Sequence, residues 1–181
     1  MKLWLVRHAQ PLVEPGVCYG ALDVAADQLA TEKAARALAG ALPAGLLVLS
    51  SPLQRCEQLT EVLRGLRPDL AYKHDARLVE MDFGHWEGQH WDAIPRAELD
   101  GWTEAFDTWR CGGAESVADA MRRVGAVWDE TRALQQPTVW ITHAGVVRAA
   151  TLLAQGQRHI SQADQWPVDA PAWGQWQAVD I

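Results

Sequence analysis

The apolar run Leu3-Trp4-Leu5-Val6 stops abruptly at Arg7 and His8. A short run of this kind reads as a buried strand, which sets the Arg-His pair at its carboxyl end. In an open α/β sheet that end is where ligands bind. The pair gains meaning only if other strand ends deliver charged groups to the same place.

Two further apolar runs do so. Leu46-Leu47-Val48-Leu49-Ser50 and Thr138-Val139-Trp140-Ile141-Thr142 both read as strands, followed closely by Arg55 and His143. Helix formers dominate from Leu29 to Leu42, and strand, helix, strand implies a right-handed parallel crossover between the first two runs. Ser51 is expected to cap the next helix, with Pro52 at its first position and Gln54 closing a capping box. Leu53, Cys56, Leu59, Leu63 and Leu66 mark its buried face. Ser116 is the expected cap of a helix reaching about Gln135, with Val117, Met121, Val124, Trp128 and Thr131 as its apolar stripe. A further helix runs from Val146 to Ala154. Ala71–Lys73 and Trp176–Asp180 read as short strands.

The connecting stretches carry their own information. Ala9 to Gly20 is rich in turn formers and reads as a loop placed over the Arg-His strand end. Arg77 to Gly88, dense in carboxylates and aromatics, reads as an irregular active loop, and Glu80 within it competes with Asp82, Glu87 and, beyond the loop, Asp92 for an acid/base role. Residues 91–110 read as a helical cap interrupted by Pro95 and Gly101. The stretch between Gly156 and Trp176 has no clear pattern.

Length and charge bound the function. The 181 residues suit a single domain spanning 1–181, with the cap as an insertion at about 85–112. A net charge of -7 argues against nucleic-acid or anionic-membrane partners, which call for a basic field. Cys18, Cys56 and Cys111 form no CxxC pair, as expected of reduced thiols in a cytoplasmic protein. Neither a signal peptide nor a membrane-length apolar run is apparent.

If the three strands lie side by side, Arg7, Arg55, His8 and His143 converge into an anion pocket inside an acidic protein. Two guanidinium forks suit phosphoryl oxygens. Nearby positive charge also keeps an imidazole neutral, as a nucleophile requires. A zinc site is the rival reading for His8, His74, His85, His90 and His143, but His85 and His90 lack H-E-x-x-H spacing, so no metal is expected. There is no G-x-S-x-G elbow and no G-K-[ST] phosphate loop.

Four ordered segments carry a family resemblance. Leu5-Val6-Arg7-His8-Ala9 resembles the opening R-H-G motif of the histidine phosphatase superfamily, and Ser50-Ser51-Pro52-Leu53-Gln54-Arg55 resembles its S-S-x-x-x-R segment. Leu78-Val79-Glu80-Met81-Asp82-Phe83-Gly84-His85-Trp86-Glu87-Gly88 is similar to L-x-E-x-x-F-G-x-W-E-G, and Thr142-His143-Ala144-Gly145 to S/T-H-G/A-G. The resemblance implies a three-layer α/β/α sandwich with a mostly parallel sheet and a small helical cap. It implies a phosphatase acting on a small-molecule phosphate ester without metal or cofactor. His8 would be the nucleophile, Arg7, Arg55 and His143 would hold the phosphoryl oxygens, and Glu80 would serve as acid and base. Gln10, Tyr19, Gly20, Ala144 and Trp86 would contact substrate. Ala9 departs from the usual Gly, and Glu14 stands where an Asn is common. Size and the Cys18-Tyr19-Gly20 segment look most like the α-ribazole-5'-phosphate phosphatases of cobalamin biosynthesis, with Trp86, Trp91, Trp102 and Trp109 either walling a pocket for a flat ring or simply packing the cap. A broad-specificity phosphatase, a phosphoglycerate mutase-like enzyme and a non-catalytic phosphoester binder are the alternatives.

Overall fold

The computed structural model describes residues 1–181. Five strands form one sheet in the order β3-β2-β4-β1-β5, where β1 is Lys2–Arg7, β2 Leu47–Ser50, β3 Ala71–His74, β4 Thr138–Thr142 and β5 Trp176–Asp180. β3, β2, β4 and β1 run parallel, and β5 closes the edge antiparallel to β1. Parallel strands covered on both faces are apolar along their length, which is why β1, β2 and β4 read as unbroken runs. Side chains alternate between the faces. Leu3, Leu5, Leu47, Leu49 and Trp140 enter one core with α4 (Val117–Ala133) and α5 (Ala144–Ala154). Val6, Val48, Val139 and Ile141 enter the other with α1 (Gln28–Ala41) and α2 (Gln54–Leu66). The result is the three-layer α/β/α arrangement. No helix is long and apolar enough to cross a membrane.

The parallel crossover expected between the first two strands is present, and it passes over one intervening strand. β4 lies between β1 and β2, pairing Arg7 with Thr142 on one side and Ser50 with Ile141 on the other. The chain leaves β1 and β2 toward the α1/α2 face but leaves β4 toward the α5 face. Such a divergence opens a crevice at the carboxyl ends of the strands.

Local corrections follow from competing hydrogen bonds. α2 begins at Gln54 behind Leu53, so Pro52 lies outside the helix and no Ser51–Gln54 box forms. Ser51 Oγ instead lies 2.8 Å from His143 Nε2, and Gln54 bonds Asp23 through its backbone and side-chain amides at 2.7 and 2.8 Å. Leu66, at the end of α2, is 44% exposed rather than buried. The helix expected over 91–110 is shorter: α3 spans Arg96–Glu104, flanked by 3₁₀ turns at Gly84–Trp86, Trp91–Ala93 and Cys111–Gly113. Pro95 precedes its first turn, and Gly101 lets the Trp109 ring lie against the helix where a Cβ would collide. Ser116 caps α4 through Asp119, as its position suggested, and α4 ends at Ala133 just before Gln135 turns to a φ of 54°. α5 begins two residues earlier than expected because His143 itself is the N-cap.

Candidate active site

The carboxyl ends of β1, β4 and β2 lie side by side, so the chain places Arg7-His8, His143 and Ser51 in one crevice. The backbone locks these ends together: His8 N–H donates to Thr142 O at 3.0 Å and Ser51 N–H to Ile141 O at 2.9 Å. The His8 and His143 rings stand 5.2 Å apart between centroids. Both are buried, as is Arg55 from the first turn of α2.

Each imidazole has one nitrogen occupied. His8 Nδ1 is 2.6 Å from the Ala9 carbonyl, which can only accept, so the proton sits on Nδ1 and Nε2 keeps its lone pair. Burial, reinforced by Arg55 and Arg7, pushes the His8 pKa down to about 3 against the favourable pull of that carbonyl. His143 is likewise held well below the usual imidazole value, by burial first and then by Arg55 and His8. Its Nε2 faces Ser51 Oγ and, at 3.5 Å, the Cys56 thiol, whereas its Nδ1 is buried with no partner. Burial pushes Cys56 up to about 12, leaving it a neutral thiol.

Both arginines are moored by their terminal nitrogens to backbone carbonyls. Arg55 Nη1 and Nη2 donate to Leu22 O and Gly20 O at 2.8 and 2.6 Å, and Arg7 Nη1 donates to Pro171 O at 3.1 Å. Arg55 also lies over the Tyr19 ring and Arg7 over the Trp173 ring. Nε of each is buried and unpartnered. Buried polar groups left unmatched are costly, so the Nε–H donors of Arg7 and Arg55, together with the unpartnered Nδ1 of His143, mark a place built for a polar ligand.

Glu80 approaches from the loop after residue 78. Its carboxylate accepts the Gly145 N–H at 3.0 Å and the Met81 N–H at 3.0 Å, which sets it against the first turn of α5 beside His143. It also lines a cavity of about 440 Å³ between α3, α4, α5 and residues 163–168. Thirteen of the eighteen lining residues are hydrophobic, with Trp91, Trp102, Phe106 and Trp166 prominent. Trp91 and Trp102 stack at 6.4 Å and 16°, and Trp102 stacks on Phe106 at 5.5 Å and 13°.

The other expected contacts separate. Tyr19 supports Arg55, and Ala144 opens α5. Gly20 acts through its backbone: its carbonyl receives Arg55, and a Cβ there would overlap Met81 O. Gln10 is exposed at the start of the loop. Trp86 is fully buried and does not line the cavity. His85 pairs with Glu98 at 3.1 Å and His90 faces Glu14 at 3.7 Å. Sequence reasoning gave no structural role to Glu87, which it set only as a rival to Glu80 for acid/base work; its carboxylate accepts the N–H groups of Ala21 and Phe83 at 2.9 Å and that of Leu22. Nor did it give one to Ser51 beyond a cap, to Arg148, or to the 166–174 segment that reaches Arg7. The W-E-G spacing was the available signal for Glu87.

Residues 3–175 match the histidine phosphatase superfamily, branch 1. The chain belongs to that superfamily. Solved structures agree with the assignment. Protein TTHB049 of Thermus thermophilus is 30% identical, with a TM-score of 0.73 over 99% of this chain and 94% of that one. A mycobacterial glucosyl-3-phosphoglycerate phosphatase is 25% identical, with a TM-score of 0.79 over 98% and 88%. A structure described as mycobacterial hydrolase 2 is also 25% identical, with a TM-score of 0.80 over 98% and 80%. No curated protein sequence is significantly similar to the chain. As a histidine phosphatase superfamily member, the chain is a phosphoric monoester hydrolase.

Proposed function

We propose that the protein hydrolyses a small-molecule phosphate monoester through a phosphohistidine on His8. The observation that carries this reading is the unprotonated Nε2 of His8 beside the unmatched Nε–H donors of Arg7 and Arg55 and the unpartnered Nδ1 of His143. Nε2 attacks phosphorus in line as the ester oxygen leaves, and the donors take up the charge growing on the non-bridging oxygens. Glu80 gives its proton to the leaving oxygen and then takes one from the water that attacks the phosphohistidine, releasing phosphate and restoring His8. Ser51 donates to His143 Nε2, which places that ring's proton on Nδ1 for the phosphoryl group. Tyr19 and Gly20 serve by holding Arg55, Ala144 opens α5 beside His143, the exposed Gln10 is the remaining substrate contact, and Trp86 backs the aromatic wall.

The ester we assign is α-ribazole 5'-phosphate, with a place in cobalamin biosynthesis. The aromatic cavity beside Glu80 supports it, being suited to a flat benzimidazole ring on the leaving alcohol. p-Nitrophenyl phosphate in EDTA should be turned over by the wild type and not by His8→Ala; equal rates in both would overturn the mechanism. For the substrate, kcat/KM for α-ribazole 5'-phosphate should exceed that for 3-phosphoglycerate and p-nitrophenyl phosphate. Parity among them would overturn the assignment and leave a broad-specificity phosphatase.

A further inference from the structure

Nine of the chain's thirteen arginines pair with a carboxylate. The four that do not are Arg7, Arg55, Arg132 and Arg148. Arg132 is exposed in the last turn of α4, where the helix carbonyl end favours a cation. Arg148 has no such explanation. It repeats the arrangement of Arg7 and Arg55: Nη2 is moored to a backbone carbonyl, Val168 O, at 2.9 Å, while Nε is buried without a partner. Its charge also bears on Arg7, disfavouring the positive charge there.

Arg148 lines the aromatic cavity rather than the phosphate crevice. Trp102, stacked in the same wall, has its indole N–H buried and unpartnered. Two unmatched donors on the wall of a mainly apolar cavity call for an acceptor brought by the ligand. Arg123, the other cation in the lining, is already satisfied by Glu115 at 2.6 and 3.0 Å and by the carbonyls of Arg77 and Val79.

We infer that Arg148 and Trp102 form a second recognition point, selecting esters whose leaving alcohol combines a flat apolar body with a hydrogen-bond acceptor. The body fills the space among Trp91, Phe106 and Trp166, and the acceptor, a neutral ring or hydroxyl atom or a carboxylate oxygen, takes the two N–H groups. This rests on the phosphatase reading and assigns Arg148 to substrate choice rather than to the phosphoryl group.

The test compares kcat/KM for phenyl phosphate, which lacks an acceptor on its ring, 4-carboxyphenyl phosphate and α-ribazole 5'-phosphate. The last two distinguish a charged from a neutral acceptor. Wild-type enzyme should prefer at least one acceptor-bearing ester over phenyl phosphate. Arg148→Met should shrink that preference by about 10-fold or more, chiefly through KM, as loss of a charged hydrogen bond implies. Arg148→Lys and Trp102→Phe should shrink it less. Each ratio is taken within one preparation, so a variant that folds in poor yield still reports. An Arg148→Met ratio equal to wild type, or a wild type indifferent to the acceptor, overturns the inference. Failure of the wild type on all three esters overturns the phosphatase reading with it.

Discussion

Arg55 and Glu87 grip opposite ends of one peptide group. Arg55 Nη2 donates to the carbonyl of Gly20 at 2.6 Å, and the N–H of the same peptide, on Ala21, donates to Glu87 Oε1 at 2.9 Å. A guanidinium and a carboxylate are thus coupled through a polarised amide, with the next N–H, on Leu22, also held by Glu87. Glu87 therefore sets the position of Arg55 without touching it.

Replacing Glu87 should loosen that fork. Glu87→Ala is expected to lower kcat on p-nitrophenyl phosphate by about 10- to 100-fold and to weaken competitive inhibition by phosphate, since 1.4 kcal/mol of lost positioning is a factor of about ten. Glu87→Gln keeps one acceptor oxygen and should recover part of the loss. Steady-state kinetics with phosphate inhibition decide the matter; equal kinetics in Ala and Gln variants would speak for a merely steric role.

Gly145 and Glu80 give a second prediction. A Cβ on Gly145 would overlap Glu80 Oε1, the mobile end of a side chain, so Gly145→Ala should fold and push the carboxylate aside. Leaving alcohols that need a proton should suffer most. Alkyl phosphates are expected to lose about 100-fold, within the usual range of general acid catalysis, while p-nitrophenyl phosphate loses far less. A Brønsted plot against leaving-group pKa measures the difference.

Burial of neutral His8 ties stability to pH. Its folded pKa of about 3 lies below the ordinary value of 6.5, so between these limits the unfolded chain binds the extra proton. Stability then rises with pH through this window, is complete above about 6.5, and is lost as pH falls toward 3. The swing from this residue is on the order of 5 kcal/mol, and His143 acts in the same direction. Urea midpoints at about pH 4.5 and pH 7.5 should differ clearly in the wild type and less in His8→Gln.

Ser51→Ala removes the hydroxyl 2.8 Å from His143 Nε2. With that partner gone, the proton is free to sit on either ring nitrogen, and the expected result is a roughly 10-fold fall in kcat. Ser51→Thr, which keeps the hydroxyl, should retain more activity. Kinetics of the pair against wild type provide the check.

The strands and helix faces were legible because periodicity and burial are local signals. Leu3 to His8 and Thr138 to His143 declared both a strand and the charged residues at its end. What could not be read was set by distant partners. Ser51 and Gln54 form a sound capping pattern, but His143 and Asp23 compete for them across 92 and 31 residues of chain. Trp86 and Trp102 are the same residue type in one segment; only the packing of α3 makes one a buried support and the other a cavity wall. Arg148 carries no motif, and its significance rests on contrast with the nine arginines that pair with a carboxylate.

The insertion of β4 between β1 and β2 also dictates when the pocket can exist. Neither early strand has the other as a neighbour, so a nascent chain lacking residues 138–142 cannot hold Arg7 beside Arg55. Sheet pairings this far apart in sequence are slow to close. Mutual repulsion between Arg7 and Arg55 is therefore deferred to the end of folding, when the rest of the core can oppose it. A phosphate ion present at that moment would bind the finished pocket and draw refolding to completion.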